Sequence, residues 1–199
     1  SEGYAVLGLM TCSEGLLGVI TEVTVKILKS PEVAKAALIG FPSIEDAGKC
    51  VTEIIAKGII PAGMEIMDKA LTKATNDFSK AGYPVDAEAM MIVELDGTDS
   101  EVSELIKRVE EKKKKNKCSS VKRSKSDEER LKFWAGRKAA FPACAELAPD
   151  YMCMDGSIPR GKLAEVLKEI QKLSVKYNLP VANAFHAGDG NLHPLIMFD

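Results

Sequence analysis

Apolar and polar positions alternate over residues 19–27, where Val19, Thr21, Val23, Val25 and Ile27 share one face. That period of two predicts a strand with one buried side. The stretch before it, Ser-Glu-Gly-Leu-Leu-Gly-Val, is punctuated by glycines, and Pro31 closes the piece. From residue 33 the rhythm changes. Residues 34–41, AKAALIGF, predict a strand. Ser43 is placed to cap a helix whose Ile44, Ala47, Val51, Ile54 and Ile55 fall on one face, with Gly58 at its end. IIPAGMEIMD (59–68) reads as a second extended piece, followed by a helix over 69–80 that ends near Gly82. AMMIVELDG (89–97) is a third strand. Thr98 and Glu101 have the spacing of a capping box for a helix with Val102, Leu105, Ile106 and Val109 on its apolar face. CSSVKRS (118–124) is a short fourth strand, so 33–124 reads β-α-β-α-β-α-β. Such alternation predicts an α+β domain, a sheet covered on one face by helices.

Beyond Ser126 the segment DEERLKFWAGRKAAF predicts a polar helix that Pro142 terminates. PDYMCMDGSIPR (149–160) is a loop with an extended piece, and Pro159 suits the first turn of a helix with the stripe Leu163, Val166, Leu167, Ile170 and Leu173. The last stretch, PVANAFHAGDGNLHPLIMF, reads as strand, turn, strand.

Composition narrows the class. The chain has 199 residues, 46% of them hydrophobic, and a net charge of −2, which gives no sign of a nucleic-acid or membrane surface. The run EEKKKKNK (110–117) reads as a solvated helix end rather than a basic patch. No apolar run approaches the roughly 20 residues needed to span a bilayer. The five cysteines, 12, 50, 118, 144 and 153, are odd in number and contain no CxxC pair, which points to a reducing, cytoplasmic compartment.

Three features carry candidate chemistry. The only two histidines, His186 and His193, flank the turn Gly188-Asp189-Gly190-Asn191. A hairpin there would bring both imidazoles within reach of one ion such as Zn, Mn or Fe, or would simply hold a hydrogen-bonded pair. Asp189 and Asn191 read either as further ligands or as turn residues. Arg137, just after Trp134, offers a planar fork for a carboxylate or a surface ion pair. Gly15 and Gly18 let backbone approach a ligand closely, yet fit neither a GxGxxG nor a Walker pattern.

Taken in order, SEGLLGVITEVTVK, FWAGRKAAFPA, PDYMCMDGSIPR and VANAFHAGDGNLHPLIMFD resemble the FAD-linked subunit of bacterial glycolate oxidase and, more broadly, the flavin-dependent 2-hydroxy-acid dehydrogenases that include D-lactate dehydrogenases. The resemblance covers essentially the whole chain. It implies the ferredoxin-like cap domain of a vanillyl-alcohol-oxidase-type flavoprotein over 31–199, preceded by the tail of the FAD-binding domain over 1–30. It implies that Ser13, Glu14, Gly15, Gly18 and Val19 lie beside FAD, that Arg137 grips the substrate carboxylate, and that His186 and His193 ligate a catalytic divalent metal. The family completes that metal site from a Gly-Glu-His-Gly stretch that this chain does not contain, and Cys12 stands where the family often has glycine. The expectation is therefore an incomplete cap domain, truncated at both ends, folded and inactive by itself. It would dimerise if the strand at 19–27 is left unpaired. The implied partners are a small 2-hydroxy acid and other glycolate oxidase subunits or an electron acceptor, through which the cytoplasmic protein would sit against the inner membrane. No nucleic acid is implied. The competing reading is a non-catalytic ferredoxin-like binding or regulatory module, which has no need for Arg137 and the two histidines to converge.

Overall fold

The structure is a computed structural model describing residues 3–115 and 118–199; the side chains of 110–117, and with them the lysine run, lie outside the described residues. The chain divides into two compact units, Ser1–Ser30 and Pro31–Asp199.

The first unit holds one short helix, α1 (Val6–Met10), followed by turns and irregular chain. The strand expected at 19–27 does not form, and Val19, Val23, Val25 and Ile27 are all exposed. Alternation says which face a strand would bury; it does not supply a ladder partner, and the described residues of this unit include no second strand. The strand edge from which dimerisation was expected is therefore absent.

The second unit runs β1 (Val33–Phe41), α2 (Ile44–Ala56), β2 (Gly63–Asp68), α3 (Lys69–Ser79), β3 (Ala89–Gly97), α4 (Asp99–Lys115), β4 (Ser120–Arg123), α5 (Asp127–Lys138), α6 (Ala140–Cys144), β5 (Asp150–Cys153), β6 (Gly156–Ser157), a 3-10 turn (Arg160–Lys162), α7 (Leu163–Tyr177), β7 (Val181–His186) and β8 (Asn191–Phe198). One sheet takes the order β4-β1-β3-β2-β7-β8-β5, with β6 also on β8. All its pairings are antiparallel. Because β1 and β2 both pair with β3, they run parallel with β3 between them, and β3 and β4 likewise flank β1. These two split βαβ units are the ferredoxin-like half that the family resemblance implies.

Local chemistry explains the element ends. Ser43 Oγ accepts from Asp46 N at 3.0 Å, and Asp68 Oδ1 accepts from Leu71 N at 3.0 Å. Thr98 N donates to Glu101 Oε2 at 3.0 Å while Glu101 N donates to Thr98 Oγ1 at 3.4 Å, so the capping box forms. Pro142 does not terminate a helix. The chain breaks at Ala139 instead, and Pro142 sits in the first turn of α6, where its missing N–H costs nothing.

Helices cover both faces of the sheet, not one. Ile39, Phe41, Ile66 and Met91 pack with α2, α4 and α7, while Leu38, Met67, Met90 and Ile92 pack with Leu71 of α3, Phe133 of α5 and Cys144 of α6. The near-continuous apolar runs of β1 and β3 are what strands buried on both faces require. Among the described residues no helix is long and apolar enough to cross a membrane.

Candidate active site

β2, β7 and β8 are neighbours, and their register decides which side chains meet. Glu65 pairs with His186, Ala184 with His193, and His186 with Asn191. Their side chains join the face of Met67, Ala184 and Leu195, the face covered by α5 and α6.

Three contacts fix α5 over this face. Trp134 Nε1 donates to Glu94 Oε2 at 2.5 Å and Arg130 Nη1 donates to the same oxygen at 3.0 Å, tying α5 to β3. Tyr83 Oη donates to the Phe133 carbonyl at 2.5 Å, and burial pushes this phenol well above its ordinary range. Gly136 permits the approach, since a Cβ there would lie 2.3 Å from Tyr83 Oη and 2.6 Å from Ala81 Cβ.

The next residue is Arg137, only 6% exposed. Its Nε donates to Glu65 Oε2 at 3.0 Å. Its Nη2 lies 3.0 Å from the same oxygen but off the hydrogen-bonding line, so this buried nitrogen has no hydrogen-bond partner. The other oxygen of Glu65 is 2.7 Å from His186 Nδ1. His186 and His193 stand edge to face with ring centres 5.0 Å apart, and Phe141 closes the far side of His193 at 6.3 Å. Burial lowers the His193 pKa, and the neighbouring His186 adds to that, more than Asp155 at 3.7 Å offsets. The fold thus brings Arg137 and His186 onto one buried carboxylate and sets His193 against the His186 ring. Sequence reasoning missed Glu65. Its signal was a lone charge in the middle of the apolar strand GMEIMD.

The turn between the histidines is held from outside. Gly188 N donates to the Met64 carbonyl at 3.1 Å, and Arg160 Nη1 donates to the Gly188 carbonyl at 3.1 Å. Gly190 has φ +74°, and a Cβ there would meet the Ile158 carbonyl at 2.3 Å. Asp189 N closes the turn onto the His186 carbonyl at 3.1 Å.

In the first unit, Ser13, Glu14, Gly15, Gly18 and Val19 all border one pocket of about 370 Å³. Cys12, Glu14 and Gly15 have φ of 62°, 51° and 78°, left-handed values that favour glycine, which is why a glycine suits the Cys12 position. The five residues implied for FAD thus lie along one surface hollow of the first unit.

The donor set for a metal is only partial. The histidine pair offers two imidazoles, and Glu65 orients His186 as a carboxylate beside a metal-bound histidine does. That carboxylate is engaged by Arg137, and among the described residues no group of three or more His, Cys, Asp and Glu side chains is arranged to hold an ion.

Comparison with known proteins gives the family of the chain. The chain is 54% identical over its whole length to a glycolate oxidase subunit GlcD of Escherichia coli K12, of which it spans 40%. It is 35% identical to the GlcD subunit of Bacillus subtilis over 99% of the chain and 42% of that protein. It is 31% identical to a mitochondrial D-lactate dehydrogenase (cytochrome) of Arabidopsis thaliana over 99% of the chain and 35% of that protein. The chain thus spans about two fifths of the length of the curated relatives it matches. Among solved structures, an alkyldihydroxyacetonephosphate synthase aligns with a TM-score of 0.67 at 17% identity, over 98% of this chain and 42% of that one. A p-cresol methylhydroxylase aligns at 0.62 and 13% identity, over 85% and 39%. Both show a shared fold. The family model for the C-terminal domain of FAD linked oxidases matches residues 30–199, and the chain belongs to that family.

Proposed function

We propose that the complete polypeptide carrying this chain is an FAD-dependent oxidoreductase that oxidises a small 2-hydroxy acid, glycolate or D-lactate, to the 2-oxo acid. Residues 31–199 form its substrate-binding part, and 1–30 belong to its FAD-binding part. The observation that supports this most is the meeting of Arg137 and His186 at Glu65, with His193 edge to face on His186. A binding module without catalysis has no need for that convergence. The similarity to glycolate oxidase subunits and D-lactate dehydrogenases supports the substrate class.

The reaction removes a proton from the hydroxyl and a hydride from the α-carbon. When bound, FAD accepts the hydride, a chemistry that belongs to the cofactor. Arg137 binds the substrate carboxylate through the part of its guanidinium that Glu65 does not engage, and burial strengthens that contact. Burial favours the neutral form of His193, whose lone pair can take up the hydroxyl proton when no ion is bound, or ligate an ion when one is. His186 and Asn191 stand opposite each other on β7 and β8 beside this pair.

Charge counting argues for one more cation. Arg137 and Glu65 cancel, so a substrate carboxylate would leave the pocket at net −1. A divalent ion on His186 and His193, completed by ligands outside the described residues, would offset that charge and acidify the hydroxyl as a Lewis acid. Electrons then leave to a partner subunit or another acceptor, and the cytoplasmic protein is held at the inner membrane by such partners.

The test is anaerobic flavin reduction by glycolate and D-lactate in the complete polypeptide. Arg137→Lys keeps a charge beside Glu65 and loses the fork. We expect kcat/KM to fall roughly 100-fold with FAD content unchanged. Wild-type rates in that variant would sink the reading.

A further inference from the structure

Resting on the reading above, we propose that Glu65 is the positioning residue of the site, one carboxylate that sets the orientation of Arg137 and the tautomer of His186. Glu65 is 8% exposed and lies on β2 directly opposite His186. Its Oε2 accepts from Arg137 Nε at 3.0 Å and its Oε1 faces His186 Nδ1 at 2.7 Å. A guanidinium only donates, and an ionised carboxylate only accepts. The proton between Glu65 and His186 therefore belongs to Nδ1, and Nε2 carries the lone pair. The carboxylate makes this choice, because the hydrogen bond at one ring nitrogen decides what the other can do. Glu65 touches neither substrate nor cofactor in this scheme. It presents His186 Nε2 as a bare base or ligand, and it holds the Nε and Nη2 edge of Arg137, both 3.0 Å from Oε2, which sets the plane of the guanidinium.

Substituting glutamine tests this by inversion. The amide must give its oxygen to Arg137, which has no acceptor. Its NH2 then faces His186 Nδ1, which can only accept, and the ring proton is driven to Nε2. The chain holds two histidines, so labelling histidine rings with 15N yields two imidazoles, and His193→Gln assigns them. Long-range 1H–15N correlation on the full chain reads the tautomer directly. The expected result is Nδ1–H for His186 in the wild type and Nε2–H in Glu65→Gln. Nε2–H in the wild type, or Nδ1–H retained in the folded variant, would overturn the proposal. Should Glu65→Gln fail to fold, Glu65→Asp draws the carboxylate back by one methylene. Loss of the single Nδ1–H form there supports the proposal, and an unchanged spectrum overturns it. The readout needs no substrate, FAD or metal. A complete flavoprotein that fails to oxidise 2-hydroxy acids would remove the functional reading and leave this one standing.

Discussion

Gly136 shows how one residue governs the placement of a functional neighbour. In a helix interior glycine costs about 1 kcal/mol relative to alanine, yet here a Cβ would collide with Tyr83 Oη and Ala81 Cβ. Overpacking of that kind costs about 1–3 kcal/mol. We expect Gly136→Ala to lower the thermal midpoint by several degrees despite its better helix propensity, and to tilt Arg137 off Glu65; a calorimetric scan checks the first. A second residue-scale effect concerns Asp68. Burial pushes its carboxyl from 3.8 up to about 6, against hydrogen bonds from Leu71 N and Asn183 Nδ2. The folded state therefore binds this proton more tightly than the unfolded chain does. Stability from Asp68 is fully present below about pH 3.8 and is lost as pH rises through about 6. Asp68→Asn keeps an oxygen for the Leu71 cap and carries no charge. Its stability relative to wild type should grow between pH 4 and 7 by about 2 kcal/mol, read as a difference of urea midpoints; a pH-independent difference would refute the burial argument.

At the scale of elements, caps and the backs of helices matter more than propensity. α2 starts where Ser43 Oγ meets Asp46 N, and it buries Ala47, Val51 and Ile54 completely. We expect Ser43→Ala to cost about 1 kcal/mol in equilibrium unfolding, with the fold retained. α5 is a different case. Its face is polar, with Leu131 exposed, and its position comes from Trp134 and Arg130 on Glu94 rather than from an apolar stripe. Gly63 on β2 admits the Trp134 ring, since a Cβ there would stand 2.8 Å from Cη2. That is why the break between α5 and α6 falls at Ala139: the packing of Phe133, Ala140 and Cys144 on the sheet sets the angle, and Pro142 merely tolerates it.

At the scale of the molecule, the buried hydrophobics among the described residues run from Ala36 to Met197, all within the second unit. Two apolar clusters sandwich one sheet there. We therefore expect a chain of residues 31–199 to unfold in one cooperative step with the same unfolding free energy as the 199-residue chain, within about 1 kcal/mol. A loss beyond that would show that 1–30 contribute packing. The polar site sits between β2, β7, β8 and α5, so it draws on residues 65, 137, 186 and 193, far apart along the chain and joined only by sheet register.

The sequence by itself determined the local terms. Period, caps and turn residues located the elements between 33 and 124, the Thr98–Glu101 box, the final hairpin and the two histidines across its turn, because those signals act within a few residues. It also carried the family resemblance, in motifs long enough to be specific. Only the tertiary structure decided the rest. Alternation at 19–27 could not reveal that the described residues of its unit offer no partner strand. Helices on the second face followed from strands apolar on both sides, a packing condition that no single element displays. Glu65 became a site residue only when β2 was laid beside β7, since an isolated carboxylate in a strand has no meaning until the register sets an imidazole on one oxygen and a guanidinium on the other.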